Sequence, residues 1–311
     1  RRNEPAARLE VAAVIRFRSL MLIARSLVAL AAACALSTVQ AHAAETLRVG
    51  KAVPEAFSFT PLDVGIRKGI FTRNGLDIAE IASAGDAKLQ QAMASNSIDI
   101  GIGSGPGLAF IVKGSPVKGV AEMAGPPLLL AIVVRPDGPK TVADLKGKKI
   151  SVSTAGSLTY WLVSNTSRRQ GWGPNGITIL PMGAMVGQLA ALRRHEIDGI
   201  IMDVSTAYDL VKKGDGRILV RFTDLTEFVT HVIFATNNLI ATRPDTIRAF
   251  IKGWFETIAF MRANKAETVA IDTQVLQKDS DIISRTYDAV MPMFTSDGHF
   301  NKKGLHVLAK S

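Results

Sequence analysis

Cysteine is all but missing: Cys34 is the single one among 311 residues, and it falls inside an N-terminal apolar run. Beyond that run the chain can form no disulfide, ligate no metal through thiolate and offer no thiol nucleophile. Histidine is scarce too. Of five, the four beyond residue 43, His195, His231, His299 and His306, are widely spaced, with no i, i+4 pair to hold a metal on one helix face. Aromatic residues make up 6% of the chain and do not interleave with a basic stripe, so the footprint of a nucleic-acid binder is absent. Pairs such as Lys148-Lys149, Arg193-Arg194 and Lys302-Lys303 are short and read as solvated faces. The common catalytic signatures are absent as well: no G-x-S-x-G elbow, no H-E-x-x-H, no P-loop and no G-x-G-x-x-G behind the first strand. These absences predict a chain without catalytic residues, metal site or cofactor.

The apolar run at residues 26–36 is too short to span a membrane stably. It follows Arg16, Arg18 and Arg25 and leads to the small-residue pattern Ala41-His42-Ala43, which is the plan of a secretory leader. Met21 is read as the natural start, residue 44 as the start of the mature chain, and the end at Ser311 as incomplete. The alternatives are a retained anchor and, from Leu30-Ala31-Ala32-Ala33-Cys34, a lipoprotein cleavage box. The formal charge is +10; six of the 37 Lys/Arg and two of the 27 Asp/Glu lie in residues 1–43, which leaves +6 for the remainder. A share of 47% hydrophobic and 21% charged residues then describes a globular chain with room for one large or two medium domains.

Strand and helix patterns alternate along it. Strands are predicted at 47–52, 76–81 and 98–102, with helices opening near Pro61 and running through Leu89, Ala92 and Met93. Further strands follow at 117–123, 128–134, 150–153, 177–180, 197–202, 218–222 and 228–236, and helices at 163–170, through Leu189 and Leu192, to Lys213, from Pro244, at 265–276 and at 281–291. Such alternation predicts parallel sheets covered on both faces, with a binding edge at the strand C-terminal ends. A short repeat joins the halves: Ala92-Met93, four residues, Ile98-Asp99 and a strand, against Ala191-Leu192, four residues, Ile197-Asp198 and a strand. Two similar lobes would hold a ligand between both sets of strand ends.

The stretch at residues 150–160, ISVSTAGSLTY, combines a strand, a turn of small hydroxyl residues and a helix start. It reads either as a ligand wall with outward N–H groups or as an ordinary capped helix. Asp86 and Asp203 follow strand ends and would bind an ammonium or cap a helix. Phe57 and Phe59 would stack on a flat ligand or pack their loop, His231 reads as a core histidine, one of Tyr160 and Trp161 is expected to face the cleft, and Trp172 to be structural.

Three phrases carry a family resemblance: F-x-P-L-D-V-G-I-R-K-G-I-F-x-x-x-G-L-D-I, G-D-A-K-L-Q-Q-A-M-A-S-N-S-I-D-I-G-I-G-S and D-L-K-G-K-K-I-S-V-S-T-A-G-S. Together they resemble the periplasmic solute-binding proteins of ABC importers of the nitrate, taurine and aliphatic sulfonate type. The resemblance covers roughly residues 47–260. It implies the α/β, type II periplasmic binding protein fold, with two lobes, a hinge and an interlobe ligand cleft, and crossover strands near 129–134 and 228–235. The implied division is 1–43 leader, 44–130 first lobe, 131–229 second lobe and 230–311 return to the first. The implied site draws on Phe57, Ser58, Gly85, Asp86, Ser104, Gly105, Thr154, Gly156, Ser157, Thr159, Met182, Asp203, Val204 and Ser205. Relatives often read G-S-G-T-D where this chain has Gly156-Ser157-Leu158-Thr159-Tyr160, and that more apolar wall points to an organic rather than a small inorganic anion. The implied function is capture of a small organic, anionic solute by a periplasmic monomer that delivers it to a membrane permease and its ATPase, with no nucleic acid involved and no enzymatic step. The alternative is an enzyme of the pyrimidine or thiamine-precursor synthase type on the same fold.

Overall fold

The computed structural model describes residues 45–223 and 227–310; the readings made on the leader and on Cys34 lie outside the described residues. The chain begins with strand β1 (Glu45–Lys51), helices α1 (Pro61–Arg67) and α2 (Ile70–Arg73), β2 (Leu76–Ala82), α3 (Asp86–Ala94), β3 (Ile100–Ser104), α4 (Leu108–Val112) and β4 (Val117–Ala124). It continues with β5 (Leu130–Val134), β6 (Lys149–Val152), α5 (Leu158–Arg169), β7 (Thr178–Pro181), α6 (Met185–Arg193), β8 (Gly199–Asp203), α7 (Val204–Lys212) and β9 (Arg217–Arg221). Strand β10 (His231–Thr236) precedes α8 (Asn237–Thr242), α9 (Pro244–Ala263), α10 (Lys265–Leu276), α11 (Ser280–Val290) and α12 (Lys302–Ala309). The single helix expected from Pro61 to residue 73 is broken, because Gly69 takes a left-handed φ of 63°.

Two five-stranded sheets result, ordered β2-β1-β3-β10-β4 and β7-β6-β8-β5-β9. They are mixed rather than purely parallel: β10 runs antiparallel to β3 and β4, and β5 antiparallel to β8 and β9. The reason is the route of the chain. Strand β4 ends at the edge facing the other sheet, so the chain enters that sheet from the same edge and β5 must run away from it. Strand β10 enters the first sheet in the same way after β9. All other strands end at that shared edge, and loops and helix starts gather there.

The short repeat seen in the sequence is matched bond for bond. Asn96 and His195 both hold positive φ, 56° and 59°, as the chain leaves α3 and α6. The N–H groups of Ser97 and Glu196 return to Ala92 O and Ala191 O at 2.9 and 3.0 Å. Asp99 Oδ2 then accepts from Arg48 N–H (3.0 Å), as Asp198 Oδ2 accepts from Lys149 N–H (2.9 Å). Each aspartate ties the start of the third strand in its sheet's spatial order to the neighbouring second, β3 to β1 and β8 to β6.

Each sheet has its own apolar packing. The long helix α9, opened by Pro244 at a position where its missing N–H costs nothing, turns Ile247, Phe250, Trp254, Ile258 and Met261 inward at helical spacing. Phe250 stacks on Phe71 with ring centroids 5.3 Å apart. On the second sheet Leu145, Ile150, Val152, Leu158, Leu162 and Val163 form the corresponding core.

Strand β10 was expected from residue 228 but starts at His231, since Phe228, Val229 and Thr230 form the second crossover instead. That crossover is tied to the first: Thr230 N–H donates to Ala124 O and its hydroxyl to Gly125 O, both at 2.9 Å. Helix α12 seats on the same point, and a Cβ on its Gly304 would stand 2.7 Å from the carbonyl carbon of Phe228.

Candidate functional site

The cleft between the facing sheet edges has an open volume of about 880 Å³. The first half contributes Ala52, Val53, Glu55, Ala56, Ser58 and Phe59 from the loop after β1, residues 83–86 after β2, Ser104 at the end of β3 and His231 at the start of β10. The second half contributes Leu129, Leu130, Ser153, Leu158, Thr159, residues 183–185, Gln188, Ile201, Met202, Asp203 and Thr206. Val290 and Met293 close it from the C-terminal region. Apolar side chains dominate, with a few convergent polar groups, which is the composition of a small-molecule site.

Among the polar groups, Asp86 is buried and accepts two 2.8 Å bonds, from Ser104 N–H and from the Ser104 hydroxyl. Burial pushes its carboxyl above the usual range, while the Ser104 bonds and the N–H of Leu158 pull it back. Asp203 caps α7: its Oδ1 accepts from Ser205 N–H at 2.9 Å and Thr206 N–H at 3.4 Å, and from the Ser205 hydroxyl. Burial raises its carboxyl too, against the Ser205 bonds and the nearby Lys278 charge. His231 packs its ring on Phe59, centroids 4.9 Å apart, and its Nδ1 has no partner among the described residues. Burial holds its pKa down at about 4, so the imidazole is neutral near pH 7.

The halves touch across the cleft. Ala87 N–H donates to Thr154 Oγ1 at 3.2 Å, Met185 N–H reaches Glu55 Oε1 at 3.4 Å, and Leu158 N–H faces Asp86. Gly85 permits the closest approach. It sits at φ 110°, and a Cβ there would come within 2.6 Å of Thr154. Gly85→Val should therefore wedge the halves apart while leaving each core packed. Small-angle scattering is expected to show a larger radius of gyration than wild type, and an unchanged radius would remove Gly85 from the contact.

Of the residues singled out from sequence, Ser58, Gly85, Asp86, Ser104, Thr159 and Asp203 line the cleft. The others stand elsewhere. Phe57 is fully buried in the first core, and its neighbour Phe59 takes the cleft position. Gly105 lies against the second crossover, with a Cβ position 1.9 Å from Val229 O. Thr154 is spent on the contact with Ala87, and Gly156 is exposed beside Phe110. Ser157 is the cap of α5, accepting from Tyr160 N–H at 3.2 Å and donating to Thr154 O at 2.7 Å. Met182 is exposed outside the cleft, where Met185 lines it, and Val204 and Ser205 are buried behind Asp203. Neither Tyr160 nor Trp161 faces the cleft: both pack on the second core, Trp161 with its ring centroid 4.8 Å from that of Phe228. Trp172 packs there as well.

Sequence reasoning missed Glu55, Met185, Gln188, Thr206, Val290 and Met293 as lining residues and read His231 as core. Gln188 carried a signal in retrospect: it is a buried amide on α6, taking the Ser151 hydroxyl at 2.8 Å and donating to Gly183 O at 2.7 Å. Among the described residues no Lys or Arg lines the cleft, so the anionic solute expected of this site has no cationic partner there. No group of His, Cys, Asp or Glu among the described residues could hold a metal, and no described helix is long and apolar enough to cross a membrane.

Two α/β lobes with the same strand order, linked by two crossovers around a cleft, are the periplasmic binding protein fold. The chain is similar in structure to the alkanesulfonate-binding protein of Xanthomonas axonopodis pv. citri bound to MOPS, with a TM-score of 0.71 and 19% identity over 79% of this chain and 84% of that one. It is also similar to the periplasmic nitrate-binding protein of Synechocystis PCC 6803, with a TM-score of 0.64 and 14% identity over 83% and 74%. A Haemophilus influenzae protein with a thiamine biosynthesis name is 31% identical over 94 residues, which is 30% of each chain. The family profile described as NMT1/THI5 like matches residues 56–268. The chain belongs to the NMT1/THI5-like family.

Proposed function

We propose that this protein is the solute-binding component of an ABC importer, acting in the periplasm as a monomer that captures one small organic solute and hands it to a membrane permease powered by its ATPase. The carrying observation is the construction of the cleft. Its walls come from both lobes, the described residues join the lobes through crossover segments and C-terminal packing, and bonds such as Ala87 to Thr154 span the cleft. A solute that touches both walls adds contacts only in the closed arrangement and so shifts the population toward it, without bond making or breaking. Lobe boundaries at 44–130, 131–229 and 230–311 fit this reading.

Native mass spectrometry of the protein after exposure to a metabolite extract tests the proposal. One bound compound per chain, released on denaturation with its mass unchanged, is the expected result. Such a ligand should also stabilise the fold by about 2.7 kcal/mol at a hundredfold excess over its Kd. Release of a compound different from the one captured would instead select the second reading, an enzyme of precursor synthesis, which the thiamine biosynthesis name of the Haemophilus relative favours.

A further inference from the structure

Four helices of nine residues or more begin at the cleft: α3, α5, α6 and α7. A helix start carries about half a positive charge and unpaired N–H groups, and in an open site it would attract an anionic ligand. Here each start is already answered by a carboxylate of this chain. Asp86 lies in the first turn of α3 and also faces the N–H of Leu158, the first residue of α5. Glu55 Oε1 takes the N–H of Met185, the first residue of α6, at 3.4 Å. Asp203 Oδ1 takes the first free N–H groups of α7, and its Oδ2 carries none of those bonds. The anion positions are filled from within.

An incoming sulfonate or carboxylate would therefore meet three carboxylates and no Lys or Arg among the lining residues; Lys278, the cation that acts on Asp203, is not one of them. A ligand with a cationic, N–H-bearing head meets the opposite situation. Glu55 and Asp203 both line the cleft, and so does His231, which is buried to 94% and has a ring nitrogen without a partner among the described residues. A neutral imidazole has one lone pair to accept an N–H. Phe59, whose ring is tilted 56° to that imidazole with centroids 4.9 Å apart, offers an apolar surface to the body of the ligand.

We infer that the solute of this cleft is a small organic amine bound as its cation, its N–H head among Glu55, Asp203 and His231 and its flat apolar body beside Phe59. This rests on the solute-binding reading above and departs from the anions named for the alkanesulfonate- and nitrate-binding relatives.

The test is a thermal-shift and calorimetric panel on the full chain. Matched skeletons (benzyl, phenylethyl, indolylethyl, cyclohexyl) each carry a primary ammonium on an sp3 carbon, a carboxylate or a sulfonate. Ammonium members are expected to raise Tm saturably, and their carboxylate and sulfonate counterparts to leave it unchanged. Glu55→Gln and Asp203→Asn, which keep shape and capping ability, should each weaken ammonium binding about tenfold, or roughly 1.4 kcal/mol, with the ligand-free Tm close to wild type. Stabilisation by a sulfonate or carboxylate above its amine counterpart, or by no amine at all, would overturn the inference. A saturating anion would do so while leaving the importer reading intact, whereas turnover of a bound compound would remove the importer reading itself.

Discussion

Asp272→Asn is expected to flatten the pH dependence of stability between about pH 5 and pH 8 and to leave the protein more stable than wild type at the upper end. Asp272 sits on α10 with no solvent exposure, and among the described residues neither carboxyl oxygen has a partner in good hydrogen-bond geometry, although the Thr60 hydroxyl acts on the group. Burial pushes its pKa up from 3.8 to about 8; the Thr60 hydroxyl pulls against that rise, the Asp63 charge adds to it, and Arg67 and Lys51 oppose it. The folded protein thus keeps the proton to about pH 8 while the unfolded chain releases it near pH 4. Stability from the protonated group is complete below about pH 4 and shrinks as pH rises toward 8. A shift of this size, at about 1.36 kcal/mol for each tenfold change in proton affinity, corresponds to a loss on the order of 5 kcal/mol from below pH 4 to pH 8, a large share of the 5–15 kcal/mol typical of a folded domain. Asparagine matches the shape and never ionises. Denaturant midpoints at pH 5, 6, 7 and 8 read the effect, and parallel curves for variant and wild type would show that Asp272 is already ionised in the fold.

The second large effect belongs to Gly105. A Cβ at this position would lie 1.9 Å from Val229 O and 2.9 Å from Val229 C, so the obstacle is backbone rather than a side-chain tip that could rotate away. The same residue donates its N–H to Thr230 O at 2.9 Å, which fixes the distance between the end of β3 and the second crossover. One methyl group must break that bond and move the crossover. Overpacking against movable side chains costs about 1–3 kcal/mol, and an immovable backbone neighbour places Gly105→Ala above that range, near 4 kcal/mol or more. Chemical denaturation should show a midpoint collapsed relative to wild type, with Gly75→Ala as the control, since nothing lies within 4 Å of a Cβ there and only its φ of 79° is strained. A near-native Gly105→Ala would mean that the crossover is much softer than its bonds suggest.

Much of the fold was legible because its signals are local. Apolar alternation marked the strands, Pro61 and Pro244 marked helix starts, and the spacing of Asp99 and Asp198 announced the repeat that the structure matches. The antiparallel course of β5 and β10 was not legible from alternation, since a buried strand reads the same in either direction. The site divided along the same line. Asp86, Ser104 and Asp203 follow strand ends, so the rule that ligands sit at strand C-terminal ends reached them. Ser157 and Thr154 carry the same chemistry, but a helix cap and a cross-cleft contact consume it. Val290 and Met293 come from the far end of the chain, and only tertiary packing brings them to the cleft. Phe57 and Phe59 exchanged places because, in the 3-10 turn at residues 57–59, neither helical nor strand periodicity says which ring faces inward.

Thr230 ties the two crossovers to each other, and this has a mechanical consequence. Two independent straps would let the lobes twist, slide and splay. Straps fastened side by side at Ala124, Gly125 and Thr230, with α12 clamped over them, oppose shear and torsion, so that the opening proposed for solute capture is expected to be a rotation like that of a book about its spine. Along such a coordinate Thr154 and Ala87 would return face to face on each closure, with no search over orientations before they meet.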